Sequence, residues 1–261
     1  MKAHPPRPRF VRYEVPASRE GWELSEEPVP ESQPHDLVID LLKAILLAWA
    51  AREGRALQVA RNLAVRWDEA RPRVGVDPDL CVLEPRTPEG DELTSLCTWR
   101  AGHAPPRLAV EVVSGGAPRK DYVSAPDKYA ASGTEELWVF DPALVGPPAQ
   151  GGPFRLQIWR RTDEDNFVRV YAGEGPARSG VLDAYALVVD EGRRLRVSSD
   201  PSGAQLWLTG EERERAEKER ERAEKERERA EKERERADKE RALARLAELE
   251  AALGKATTTE R

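Results

Sequence analysis

Cysteine, histidine and methionine are scarce in this 261-residue chain, with two, three and one copies respectively. Cys81 and Cys97 do not form a CxxC pair, and His4, His35 and His103 are scattered, so no zinc pattern emerges. Two reduced thiols are the expectation. Long apolar runs are missing too. The longest, Ala44 to Ala51, falls far short of the roughly 20 residues a bilayer-spanning helix needs. The opening residues, Met1 to Arg9, hold no apolar segment of the kind a secretory signal requires, which makes a cytoplasmic location the expectation. A basic excess is absent as well. From Glu211 onward there are 17 acidic and 16 basic residues, so the tail carries −1 of the total −6 and the rest of the chain −5. No basic face marks the chain as a non-specific nucleic-acid binder.

What is present in excess is charge, and it is concentrated at the end. From Glu211 the sequence repeats E-R-E-R-A-E-K almost perfectly every seven residues, with alanine at 216, 223, 230 and 237. Glu214–Lys218, Glu221–Lys225, Glu228–Lys232 and Glu235–Lys239 are i, i+4 pairs in the favourable order, each contributing about 0.2–0.5 kcal/mol. This predicts one continuous helix from about Glu211 to Leu253. One small apolar residue per heptad is too little for a zipper, until Leu243, Leu246, Leu249 and Leu253 appear. Spacer helix and coiled coil both remain open, with a homodimer through the leucine-rich tip as the partner reading.

About 200 residues remain for globular structure, enough for one sizeable core. Residues 1–34 are proline-rich and expected to be irregular apart from a short strand near Phe10–Val15. A globular domain is expected over 35–208, a charged helix or coiled coil over 209–253 and a disordered tail over 254–261. His35 to Arg52 contains no internal Gly or Pro, and Gly54 is placed as its stop. Asp36, Asp40 and Lys43 form a narrow polar stripe on an otherwise apolar cylinder, which predicts a helix buried on most sides. Strands are expected at Ala56–Ala60, Leu63–Trp67 and Leu80–Leu83, then a polar loop over 84–104. Beyond Pro142 the pattern is all-β: a hairpin from Phe154–Trp159 and Phe167–Ala172, then Ala186–Asp190 and Leu195–Val197. Strands interleaved with two helices predict an α/β (α+β) domain with a mixed sheet.

The stretch around which the rest is organised runs from Pro105 to Pro142. It opens with the apolar strand Leu108-Ala-Val-Glu-Val-Val113 and closes with Leu137-Trp-Val-Phe140. Strand side chains alternate faces, so Glu111 shares a face with Ala109 and Val113. A carboxylate in so apolar a strand is costly to bury unless a cation or donors meet it. Taken alone, it also fits the wet face of an edge strand. Asp79, after Pro78 and before the apolar Leu80–Leu83, reads alone as an ordinary turn residue. Ser124, with Pro126 behind it, is placed to cap a helix that would carry Lys128 near its start.

Taken together, Pro78-Asp79-Leu80, Arg107-Leu-Ala-Val-Glu-Val-Val-Ser114, Asp121, Tyr129 and Glu136-Leu-Trp-Val-Phe-Asp-Pro142 resemble the Uma-type restriction endonuclease family. That family, formerly a domain of unknown function, is placed in the PD-(D/E)XK nuclease superfamily. The resemblance covers roughly residues 35–200. It implies a restriction-endonuclease-like core and a metal-dependent phosphodiesterase acting on DNA. Asp79 and Glu111 would then hold Mg²⁺ or Mn²⁺, whose hard-oxygen preference suits carboxylates. The superfamily also uses a lysine to position or activate the attacking water. Two residues after Glu111 stands Val113, and four residues after Asp121, where the family pattern places the lysine, stands Ala125. Lys120 and Lys128 flank that gap and are the candidates. The alternative reading is a catalytically inactive nuclease fold acting as an interaction module through its helical tail.

Overall fold

The computed structural model describes residues 10–12, 21–24, 33–116, 118–162 and 166–258. The chain divides into two compact units, Met1–Gly210 and Glu211–Arg261. The first begins with strand β1 (Phe10–Arg12), the described part of the strand expected near residues 10–15, and helix α1 (Gln33–Glu53). Strands β2 (Gln58–Ala60), β3 (Ala64–Arg66), β4 (Gly75–Val76), β5 (Leu80–Leu83), β6 (Ser95–Cys97) and β7 (Leu108–Val112) follow. A π-helical turn, Lys120–Ser124, leads into helix α2 (Ala125–Ser132), and then come β8 (Glu136–Phe140), β9 (Leu156–Arg161) and β10 (Asn166–Gly173). The unit closes with β11 (Ala177–Ser179), β12 (Ala184–Val189) and β13 (Arg194–Ser198).

Seven of these strands form the main sheet, in the order β1-β10-β9-β8-β7-β5-β2. The three apolar runs β5, β7 and β8 are neighbours near its centre. β7 and β8 pair in parallel, joined by the α2 crossover that a parallel pair requires, while β5 runs antiparallel to β7. Alternation along β7 sorts its side chains as the sequence predicted. Leu108, Val110 and Val112 join Ile39, Leu42, Ile45 and Leu46 of α1 on one face, with Trp138, Phe140 and the β11-β12-β13 sheet. Ala109 and Val113 join Tyr122, Tyr129 and Ala130 on the other, with Val65, Val76 and Leu96 of the β4-β3-β6 sheet. Glu111 stands on this second face, in the layer of α2.

α1 ends as expected at Gly54, whose φ of 64° is accessible at little cost only to glycine, and Arg55 N–H donates to Ala50 O at 2.9 Å in the bond that closes such a helix end. α1 packs on β2 and β7 of the main sheet and on β13, with Trp49 stacked on Trp207 at 4.5 Å between ring centroids, and leaves one stripe, with Leu37 and Leu47, exposed. Arg61 forks across Asp36 and Asp40 of its polar stripe at 2.5 Å each. One expectation is corrected. Residues 84–104 are not loop throughout. β6 lies there, paired in parallel with β3, and was overlooked because Ser95-Leu-Cys97 is too short to show alternation.

The second unit is one helix, α3 (Gly210–Thr258), 49 residues or about 74 Å long at 1.5 Å per residue. It runs past the expected end at Leu253, so residues 254–258 are helical and not irregular, while 259–261 lie outside the described residues. Gly254 costs a helix roughly 1 kcal/mol relative to alanine, which slows but does not stop propagation where no proline follows. Lys218–Glu214 and Lys225–Glu221 pair at 3.9 Å along its surface.

Candidate active site

Antiparallel register sets Leu80 against Val110, and Asp79, just before Leu80, is tied by its carboxylate to the Val112 backbone N–H, next to Glu111. The two residues that a turn and a strand carried separately in sequence thus meet at the carboxyl end of β7, where ligands gather in sheets of this kind. Asp79 lies at a bend just before β5, and its carboxylate closes the strand end. Oδ2 accepts the Val112 backbone N–H at 2.6 Å and lies 3.2 Å from Nε2 of His35, which projects from the first turn of α1. The same Nε2 lies 3.1 Å from Val112 O.

Glu111 is 1% exposed. Among the described residues one hydrogen bond reaches it, from the Tyr129 hydroxyl to Oε1 at 2.6 Å. Burial pushes the Glu111 carboxyl well above its usual range, and the like charges of Asp79 and Asp121 push it further, against Lys120 and the Tyr129 hydrogen bond. Asp121, on the π-helical turn, is likewise pushed up to about 7 by burial, with Asp79 adding to the effect. Tyr129 is raised by burial and by Glu111. Burial and mutual repulsion among these carboxyls favour the protonated forms of Glu111 and Asp121, against the pull of Lys120.

Both candidate lysines face this cluster. Lys120 is exposed, and its amine is raised first by Glu111, then by Asp121, Asp79 and Asp77, against burial. Lys128 is buried, and burial lowers its amine, with Lys120 adding repulsion and Glu111 opposing. The expected Ser124 cap is not formed. Ser124 has helical backbone angles and makes no capping bond, because the π-helical turn runs straight into α2 and leaves no free start to cap. A π-turn at this point brings Lys120 and Asp121 to the carboxylates. Nothing in composition signalled it.

The donor set suits a hard divalent cation. Both hydrogen bonds to Asp79 fall on Oδ2 and the one to Glu111 on Oε1, so each carboxylate keeps its other oxygen for a ligand. Among the described residues no group of three or more His, Cys, Asp and Glu side chains is gathered closely enough to hold a metal by itself. The acidic pair would need water or substrate oxygens to complete a coordination shell, as Mg²⁺ commonly does. His35 escaped the sequence reading because a lone histidine at a helix start carries no spacing signal.

The other acidic residues of the resemblance motif do different work. Asp141, just past β8, accepts the Tyr122 hydroxyl and the backbone N–H groups of Val145 and Gly146 at 2.8–3.1 Å. Glu136, at the opposite end of β8, is enclosed by donors. Both are structural.

The fold is mixed α/β, with Glu111 near the carboxyl end of β7 and Asp79 beside it at the amino end of the antiparallel β5. The chain belongs to the Uma2 family, described as "Putative restriction endonuclease", which it matches over residues 10–149. Among solved structures it is similar to a protein of Anabaena variabilis ATCC 29413 described as "a putative nuclease belonging to DUF820", at 13% identity and a TM-score of 0.39, covering 70% of this chain and 80% of that one. Among curated proteins none matches. No helix of the described residues is long and apolar enough to cross a membrane.

Proposed function

We propose that this protein is a divalent-cation-dependent endonuclease that hydrolyses DNA phosphodiester bonds, with Asp79 and Glu111 holding Mg²⁺ or Mn²⁺. The observation that carries the reading is the closeness of these two carboxyls at the end of β7: Asp79 binds the Val112 N–H beside Glu111 and adds to the upward push on the Glu111 carboxyl. When bound, the cation supplies an acidified water and neutralises charge building on the phosphate oxygens. Lys120, held protonated by the carboxylates, is suited to meet a phosphate oxygen electrostatically. Lys128, whose amine burial lowers, is suited to position or activate the attacking water. Tyr129 fixes the Glu111 torsion from α2.

The test is cleavage of supercoiled plasmid DNA with and without Mg²⁺ or Mn²⁺. Cation-dependent nicking by the parent chain, lost in both Asp79→Asn and Glu111→Gln, is the expected result. Nicking that persists in chelator or in either variant would overturn it.

We further propose that α3 carries the protein's self-association at its tip. Leu243 and Leu246 are 66% and 56% exposed, whereas the preceding heptads offer only alanine to bury. Replacing Leu243, Leu246, Leu249 and Leu253 with Ala should convert a dimer into a monomer in sedimentation. A dimer that survives unchanged would place the contact elsewhere.

A further inference from the structure

We propose that His35 is a positioning residue for the cation site, acting through Asp79; this rests on the cation reading above. His35 is buried at the start of α1, 44 residues from Asp79 and 77 from Val112, yet its Nε2 stands within hydrogen-bond reach of both. Asp79 as a carboxylate and Val112 O are acceptors only, so the tautomer that fits carries its proton on Nε2 and shares it between them. Val112 N–H donates to the same Asp79 oxygen. Oδ2 is therefore held by two donors from two layers, α1 and β7. A carboxylate fixed in this way has its plane set, and Oδ1 is presented in one direction.

The linkage also ties three elements together at one point. β5 brings Asp79, β7 brings Glu111 and Val112, and α1 spans their ends through a single imidazole. Side-chain order at Asp79 is needed because the residue sits on a bend, outside the ladder, and keeps 14% of its side chain exposed. Without His35 the backbone N–H alone would hold Oδ2, and the carboxylate could swing about that bond. Loss of such a supporting partner typically weakens metal binding about 10–100-fold.

The experiment titrates Mn²⁺ calorimetrically into the full chain and into His35→Ala, His35→Asn, His35→Gln and Asp79→Asn, with metal-free melting temperatures measured in parallel. The Gln amide nitrogen sits as many bonds from Cα as Nε2, whereas the Asn amide falls one bond short. His35→Gln should bind within a few-fold of the parent, and His35→Asn and His35→Ala about 10–100-fold more weakly. If His35→Ala does not fold, the contrast between Gln and Asn decides. Unchanged affinity in Ala and Asn, with only the melting temperature lowered, would make His35 a packing residue and overturn the inference. So would a nitrogen coupling to bound Mn²⁺ in the electron-spin spectrum of the parent that disappears in His35→Gln, since that would place the imidazole on the ion itself. Parent and Asp79→Asn binding equally, or neither binding, would instead overturn the cation reading and this inference with it.

Discussion

Two glutamates stand on adjacent parallel strands, both sealed from solvent, and their surroundings are opposite. Glu136 opens β8. Its Oε1 accepts the Trp138 indole N–H at 2.8 Å and the Ser179 hydroxyl at 2.5 Å, while Oε2 accepts Arg160 at 2.9 Å and the Gly180 N–H at 2.8 Å. Every lone-pair direction has a donor, and one donor is a cation. Glu111, near the far end of β7, has the Tyr129 hydroxyl, two aspartates that repel it and lysines that reach it only through their fields. Burial alone therefore does not distinguish a functional carboxylate from a structural one. The balance of donors and charge around it does. A protein that can surround Glu136 so completely has the means to do the same for Glu111, and the deficit there fits a ligand arriving from outside.

The sharpest way to break this contrast is to neutralise each glutamate in turn. Glu111→Gln should cost about 100- to 1000-fold in cation-dependent cleavage, the equivalent of several kcal/mol of charge stabilisation. Its metal-free stability should hold or rise, because a repelled charge is removed. Glu136→Gln should do the reverse. It withdraws the charge from four donors and leaves Arg160 without its partner, costing about 1–3 kcal/mol of stability. Cleavage at temperatures well below the transition should be nearly unchanged. Plasmid nicking and thermal melting of both variants check this, and equal losses in both quantities would erase the distinction.

A second contrast concerns where the compensating cation comes from. For Glu136 it is a guanidinium in direct contact; for Glu111 the nearest amines belong to Lys120 and Lys128. Lys128→Ala should slow cleavage about 100-fold, in line with losing a positioned proton acceptor, and Lys120→Ala by less. Ala125 lies one helical turn before Lys128 and is itself buried. Side chains on a helix lean toward its N-terminus, so a lysine at 125 and one at 128 can serve neighbouring space. Adding Ala125→Lys to Lys128→Ala should recover part of the rate. Full activity in Lys128→Ala would assign the role to Lys120.

Much of the frame was legible because it rests on alternation. The β5, β7 and β8 runs were apolar enough to demand central positions, and they are central. The Asp79–Glu111 pair was legible only through the combined motif, since each residue alone reads as ordinary. His35 and the π-helical turn were not legible. A contact spanning 44 residues depends on how α1 lies across the sheet, and the extra residue of a π-turn leaves no trace in periodicity. The buried enclosure of Glu136 was equally hidden, because Ser179 and Gly180 approach it from 43 and 44 residues away. Local pattern fixes elements, while long-range contact decides what a polar residue in them is for.

The smallest expected effect is a pH dependence, and it centres on Glu111. Glu111 is raised by burial and by its neighbours, and Asp121 is pushed up to about 7. In the unfolded chain both titrate near the ordinary carboxyl values of about 4. Between these limits the folded state binds more protons than the unfolded one, so metal-free stability must fall as pH rises from about 4 to about 7. Asp200, which serine hydroxyls and backbone N–H groups hold well below its usual range, acts in the opposite sense, but below that window. Bound Mg²⁺ or Mn²⁺ would neutralise the carboxylates, so the cation-induced rise in melting temperature should be larger at pH 8 than at pH 5.5. In Glu111→Gln the metal-free slope should flatten and the cation-induced rise should shrink at both pH values. Melting curves of the parent and Glu111→Gln from pH 5 to 8.5, with and without cation, decide the matter: a parental slope retained in Glu111→Gln would mean that the strained carboxylate lies elsewhere.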